Sequence, residues 1–341
     1  MEYSGIEKEK NVDKVKIAIV GCGWFANFHL DNLLRMENVE VVAFASGNRE
    51  KLEAIGKRVP SARLYENHQL MYENEEKIDG VFVCITPNRH ESVERLAASY
   101  GIHIYVEKPI EVSLERARET ARIIQEAGII TSVGYQERYN AEVEFLKKHL
   151  QTKKIGLVHG KWIGGMPGVY WWRQKEMSGG QIVEQATHIF DMLRYLFGEI
   201  DSVYSVAVKG LIEDVENYDI EDGSATTLTF ASGIVATIST ACYVDEIMDY
   251  DGVGFQIICS DEVIDYRWNQ DISYKKSKLS ACRVFDQDAH EQSAKAFIQS
   301  IQSNDASGIK SDYSDGLKTL EVTLAANESL ASHKTIKLSK K

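Results

Sequence analysis

Lys108, Glu184 and His188 are the side chains in this chain best suited to moving a proton. Lys108 stands in Glu107-Lys108-Pro109, directly after the apolar run Ile102-His-Ile-Tyr-Val106, so the spacing puts it at the carboxyl end of a buried strand. In an open parallel sheet that end faces the ligand crevice. Pro109 fixes the backbone after it, and X-Pro is the bond that adopts cis readily. A lysine there can polarise a hydroxyl or, with a lowered pKa, transfer a proton; a surface Glu-Lys pair would read the same. Glu184 and His188 are four apart in a helical stretch, which predicts a shared face. A carboxylate one turn away orients a histidine and raises its basicity, and histidine exchanges protons near neutral pH. A capped core histidine fits this spacing too, as does half of a metal site completed by Asp191. With no H-E-x-x-H and no cysteine set, no metal is expected.

The element that would serve this chemistry is a phosphate cradle. Val15-Lys-Ile-Ala-Ile-Val20 runs into Gly21-Cys-Gly23-Trp24-Phe25-Ala26. Gly21 permits the tight turn, Gly23 lets a diphosphate approach the backbone, and Ala26 is small enough for the helix to pack on the sheet. The helix N-terminus offers free N–H groups to the phosphates. A second strand, Val39–Ala45, ends in Ser46-Gly47-Asn48-Arg49, where an acid would bond the ribose 2′-OH of NAD. The acid is missing. Ser46 and Asn48 are neutral, and Arg49 can pair with a 2′-phosphate, which favours NADP over NAD; the opposing reading makes Arg49 a solvated helix-start residue and lets Glu50 compensate.

Strand signals at 15–20, 39–45, 80–85, 102–106 and 129–134 alternate with helical ones such as Ser92–Ser99 and Leu114–Ala127, predicting a doubly wound parallel sheet over 15–135. Residues 1–14 read as a flexible lead. From 136 to 341 the pattern predicts an α+β domain. It has one helix at 180–197, β segments at 202–208, 224–231, 234–243, 254–260 and 262–268 forming an antiparallel sheet, hairpin turns at Ser232-Gly233 and Ser260-Asp261, and late helices at 288–302 and 312–331. The 341 residues suit two cores. A net charge of −12 argues against nucleic acid and anionic membranes as partners. No run approaches the ~18 apolar residues of a membrane span. Five cysteines, an odd number without C-x-x-C spacing, suggest reduced thiols in a cytoplasmic protein.

Tyr170-Trp171-Trp172-Arg173 suits stacking on a sugar ring or anchoring a carboxylate, and suits a core or an interface equally. Tyr135, Arg138 and Tyr139 carry the same ambiguity. Taken with Thr86-Pro87-Asn88-Arg-His90, Glu107-Lys108-Pro109, Gly134-Tyr-Gln-Glu-Arg-Tyr139, Gly179-Gly180 before His188-Ile-Phe-Asp191, and the run from Asp315, the chain resembles the Gfo/Idh/MocA oxidoreductases over nearly its whole length. The resemblance implies a Rossmann domain followed by a domain on an open antiparallel sheet whose outer face makes dimers or tetramers. It also implies hydride exchange between a nicotinamide and a carbinol carbon of a sugar, cyclitol or related polyol. The family's lysine falls on Lys108 and its histidine on His188, while its acid, usually Asp, falls on Glu184. Ser46-Gly47-Asn48 is similar to the pattern that goes with NADP. On this reading Trp24 and Phe25 lie near the nicotinamide, and Thr86, Pro87, Asn88 and His90 line the cofactor trough. Glu107 contacts the nicotinamide ribose or orients Lys108, and Tyr135, Trp172, Arg173, Glu184 and His188 meet the substrate. Some members use the cofactor transiently to cleave glycosides, and one is a transcriptional regulator; both remain as alternatives.

Overall fold

The computed structural model describes residues 14–90, 92–244, 252–277 and 279–338. The expected lead over 1–14 lies, but for Lys14, outside them. Six strands, β1 (Val15–Val20), β2 (Val39–Ala45), β3 (Arg63–Tyr65), β4 (Gly80–Val83), β5 (His103–Val106) and β6 (Thr131–Val133), form a sheet in the order β3-β2-β1-β4-β5-β6. Every pairing is parallel. The order reverses between β1 and β4, and this switch point opens the crevice in which a doubly wound sheet binds ligands. Helices cover both faces, so these strands are nearly all apolar, and Ile17, Ile19, Val81 and Val106 are fully buried. The helix Leu114–Ala127 runs between Ser113, whose side chain caps its N-terminus, and Gly128, left-handed at φ 64°.

The second sheet has nine strands: β7 (Ile155–Ile163), β8 (Ile200–Val208), β9 (Gly223–Phe230), β10 (Val235–Ala241), β11 (Val253–Cys259), β12 (Val263–Arg267), β13 (Asp271–Lys276), β14 (Leu279–Val284) and β15 (Ile336–Lys337). Their order is β14-β13-β12-β11-β7-β10-β9-β8-β15. The sheet is antiparallel except where β7 lies parallel to β10. The central strand β7 was not expected, because Gly156, His159, Gly160 and Lys161 interrupt its apolar pattern. Packing accounts for Gly160: a Cβ there would sit 2.9 Å from the Ile189 side chain, so the glycine lets a helix approach the sheet closely.

That helix is the one expected over 180–197, and it is broken. Gln181–Glu184 and Thr187–Phe197 are separate segments, and the Ala186 N–H reaches back five residues to the Gln181 carbonyl. Both late helices, Ala289–Ser303 and Tyr313–Ser332, pack on the first sheet. Phe297 and Ile298 join the core around Phe82 and Tyr105, while Tyr313 and Leu320 join that around Val106 and Val133. A buried charge cluster ties the second of these helices to the junction. Arg138 grips Asp191 with both arms (2.6 and 2.8 Å) and meets Asp315, which also pairs with Arg194.

Candidate active site

At the first turn after β1, Gly21 has φ +95° and a Cβ there would lie 2.1 Å from the Cys84 carbonyl oxygen, so only glycine fits. A Cβ at Gly23 would meet nothing within 4 Å, which leaves open space over the backbone. The helix Trp24–Leu34 begins there with no side-chain cap and no acid in its first turn. Unclaimed N–H groups, a positive dipole end and open space together fit a dinucleotide diphosphate. Ala26 is fully buried, and Trp24 is 73 % exposed, lying nearly parallel to Phe28 with 5.8 Å between rings. Phe25 meets the Trp24 ring edge-on at 4.9 Å.

At the end of β2 the Ser46 hydroxyl accepts from the Asn48 N–H (3.2 Å), and the Asn48 side-chain Oδ1 caps the next helix by accepting from Lys51 N–H (2.9 Å). Arg49 projects into solvent and pairs with Glu53 at 2.8 Å, not with Glu50. On the loop after β4, Thr86 Oγ1 donates to Asn88 Oδ1 (3.0 Å), and Pro87 opens a short 3₁₀ turn. His90, expected to line the trough, is instead buried, with Nδ1 bonded to the Glu94 carboxylate. Burial opposes its charge, but Glu94 and Glu111 outweigh burial and raise its pKa. The i,i+4 spacing of His90 and Glu94 on the helix-forming stretch is a structural pairing.

Lys108 follows β5 and precedes a cis bond to Pro109. Its Nζ donates to the Glu184 carbonyl (2.9 Å) and to Glu184 Oε1 (2.8 Å). The other carboxylate oxygen accepts from Trp172 Nε1 at 2.7 Å. Lys108 and Glu184 expose only 9 % and 12 % of their side chains, so this charge-assisted bond is held away from bulk water. Trp172 is completely buried beside Ile220 and Cys242. It therefore cannot stack on a substrate, as the sequence suggested, and acts on the site only through Glu184. Arg173 is half-buried; its carbonyl accepts from the Asp219 N–H, and its Nε is enclosed without a partner. No bond joins it to Lys108, Glu184 or His188 among the described residues.

His188 lies in an aromatic seat. It is stacked on Trp162 (5.6 Å, 15°), with Trp268 at 5.1 Å and Tyr135 edge-on at 6.1 Å. The Tyr135 hydroxyl pairs with Thr187 Oγ1 at 3.0 Å, which fixes that phenol against the histidine's own helix. The expected orientation of His188 by Glu184 does not occur among the described residues, since the helix break separates them and the carboxylate is taken by Lys108 and Trp172. Burial, then the nearby charge of Lys108 and His290, pushes the His188 pKa well below its ordinary value. The imidazole is thus neutral at neutral pH and able to accept a proton.

Glu107, expected at the ribose or at Lys108, is buried under the strand end, and its Oε1 lies 2.6 Å from His29 Nε2. Burial would raise its pKa, but His29, with help from His290 and Lys108, outweighs burial and holds it below the usual carboxylate range. A Cβ on Gly134 would stand 2.7 Å from this carboxylate, so Gly134 makes room for it. Sequence reading missed His29, His290, Trp162, Trp268 and Glu137. His29 offered one signal, a histidine in the apolar face of the helix after the glycine turn. The others come from a strand, two turns and the start of the helix Ala289–Ser303, which no local pattern links.

A family model described as the oxidoreductase family with NAD-binding Rossmann fold matches residues 15–135, and one for the GFO/IDH/MocA C-terminal domain matches residues 145–264. The chain belongs to the GFO/IDH/MocA family. Within it the chain is similar to a myo-inositol 2-dehydrogenase of Thermotoga maritima, 23 % identical over 95 % of this chain and 98 % of the relative. It is also similar to a D-glucoside 3-dehydrogenase of Escherichia coli, 23 % identical over 67 % of this chain and 70 % of the relative. Among solved structures, levoglucosan dehydrogenase in complex with NADH shares the fold with a TM-score of 0.85. It is 17 % identical, and the match covers 96 % of this chain and all of that one. The parallel sheet and the glycine turn after β1 thus lie within the span that the family's NAD-binding Rossmann model matches.

Proposed function

We propose that this protein is an NAD(P)-dependent dehydrogenase acting on a CH–OH group of a sugar, cyclitol or related polyol. The observation that carries the reading is the pairing of a charged Lys108, anchored by Glu184, with a neutral His188. When bound, the nicotinamide supplies the acceptor or donor of the hydride. His188 takes the hydroxyl proton in the oxidising direction and returns it in the other. The Lys108 ammonium, held by two bonds to Glu184, has a third N–H with which to stabilise the developing alkoxide. Trp172 fixes the carboxylate, and Gly21, Gly23 and the uncapped helix at Trp24 would hold the diphosphate. The inositol and glucoside dehydrogenases among the relatives support the substrate class, and nothing in the site favours glycoside cleavage or a regulatory role.

NADP is the proposed cofactor. No acid stands at the end of β2, Ser46 is neutral, and the exposed Arg49–Glu53 pair is weak enough to open for a 2′-phosphate. We further propose a homodimer or homotetramer. Tyr204, Val206 and Val208 alternate along β8 and are all exposed, giving the sheet an apolar outer stripe. Five free thiols suit the cytoplasm, and no helix among the described residues is long and apolar enough to cross a membrane. The test is a turnover screen that follows reduced nicotinamide by near-ultraviolet absorbance, pairing NADP or NAD with sugars, inositols and diols. Turnover with such an alcohol is expected, faster with NADP. Nucleotide binding without turnover across the panel would overturn the dehydrogenase reading, and a preference for NAD would overturn the Arg49 assignment.

A further inference from the structure

Glu137 is almost completely buried in the 3₁₀ turn Gln136–Tyr139, and no cation pairs with it among the described residues. Its neighbour Arg138 turns the other way, to Asp191. A buried carboxyl without a cation is costly and adds nothing to packing that an apolar side chain would not. Its partners are specific. Tyr266 on β12 donates its hydroxyl to Oε2. The Asn269 amide, oriented so that both its atoms are satisfied, donates to Oε1 at 2.9 Å and accepts from Trp268 Nε1 at 3.1 Å. Asn269 is left-handed at φ 53° in the turn between β12 and β13, a conformation asparagine tolerates. The Trp268 ring then stands 5.1 Å from His188 and 5.6 Å from Trp162, on which His188 stacks. A continuous line of contacts runs from Glu137 through Asn269 and Trp268 to the imidazole.

We infer that Glu137 is a positioning residue for His188, clamping the Trp268-Asn269 turn so that the indole closes the histidine's aromatic seat. The inference rests on the proposed role of His188 as the proton acceptor. It assigns a catalytic consequence to a side chain that touches no reacting atom. Without the clamp the turn loses its tie to the 3₁₀ segment and β12 loses the Tyr266 bond, so Trp268 is free to swing and His188 has only one indole to lie against. The proton-transfer geometry then degrades while the dinucleotide cradle, built on other strands, is untouched.

The experiment uses histidine-ring NMR on the full protein, with the signals of His188 assigned by their loss in His188→Asn. In the wild type the two indoles shift the His188 ring signals through their ring currents. Glu137→Ala and Asn269→Ala are both expected to move those signals, and to lower kcat by between about tenfold and a hundredfold, with dinucleotide affinity unchanged. Glu137→Gln, which keeps an oxygen and a donor in place, is expected to keep the wild-type signals. The losses in kcat from Glu137→Ala and Asn269→Ala should not multiply in the double variant, because both break one line of contacts. Unmoved His188 signals in folded Glu137→Ala, or an unchanged kcat, would overturn the inference. Should Glu137→Ala fail to fold, Asn269→Ala decides alone, since Asn269 is exposed and its truncation opens no cavity. If the wild type turns over no alcohol but the signals move, the dehydrogenase reading fails and the positioning stands.

Discussion

Stability should fall as pH rises from about 5 to about 8, and Glu137 should be the reason. Burial pushes its carboxyl up to about 7 from an ordinary 4.5, the Tyr266 hydrogen bond only partly opposing. Between these values the folded state holds a proton that the unfolded state has released. Stability from this group is therefore full below the unfolded pKa and is lost as pH passes through the folded one. A shift of between two and three units corresponds to roughly 3 kcal/mol in all, of which about 2–3 kcal/mol falls between pH 5 and 8. For a cooperative unit of this size that is a drop of about 5–10 °C in Tm. Other groups titrate in the same range, so the measurement is the difference between wild type and Glu137→Gln, which is neutral at every pH. Thermal or urea unfolding of both proteins, followed across this range, should give curves that diverge as pH rises, the variant gaining on the wild type. Parallel curves would refute the burial argument, and a wild type that gains on the variant would reverse its sign.

Lys108→Met should keep nucleotide affinity and lose at least about a hundredfold in kcat, as stopped-flow or steady-state assays would read; undiminished turnover would remove lysine from the chemistry. Gly21→Ala places a Cβ against the Cys84 carbonyl in a left-handed backbone. It should cost about 2 kcal/mol or more and abolish nucleotide binding, measured by unfolding and by nucleotide titration. Trp172→Phe leaves the Glu184 carboxylate short of one donor. A loss of about 1–3 kcal/mol in stability together with a lower kcat at unchanged substrate KM is expected, whereas a raised KM alone would mean that Trp172 meets substrate after all.

What could be read from the sequence was what local chemistry decides. The turn at Gly21, the strand before it and the helix from Ser113 to Gly128 each announce themselves within a few residues, through a backbone requirement or a cap. Strand β7 did not, because its glycines answer to Ile189 on a distant helix rather than to strand propensity. The outer strands β13 and β14 were missed for a related reason. Lys275, Lys276 and Arg283 give them the polarity of a loop, and only pairing, β13 with β12 and β14 with β13, makes them strands. Within the site, Lys108 was placed by its strand end and proline. Trp172 was expected to meet the substrate, with a core position equally open, because nothing local reports that Ile220 and Cys242 close over it. The seat of His188 joins β7 to the turn after β12, a tertiary event with no sequence period. His90 misled for the opposite reason: its motif is conspicuous, but its partner Glu94 turns it into the core.

The break between Glu184 and His188 has a chemical consequence that an unbroken helix would reverse. On one continuous face the carboxylate would meet the imidazole, and a neighbouring negative charge raises a histidine's pKa. A base protonated near neutral pH could not accept the substrate's proton. With the reach-back bond from Ala186 to Gln181, the backbone instead turns Glu184 toward Lys108, where its charge is matched, and leaves His188 among rings. Burial and the Lys108 ammonium then act in the same direction and keep the imidazole neutral. The two halves of the chemistry need opposite environments: a charged, hydrogen-bonded lysine to meet an alkoxide, and an uncharged histidine to take a proton. Two residues of irregular helix separate those environments, while the parallel sheet holds the lysine and the second sheet supplies the tryptophans.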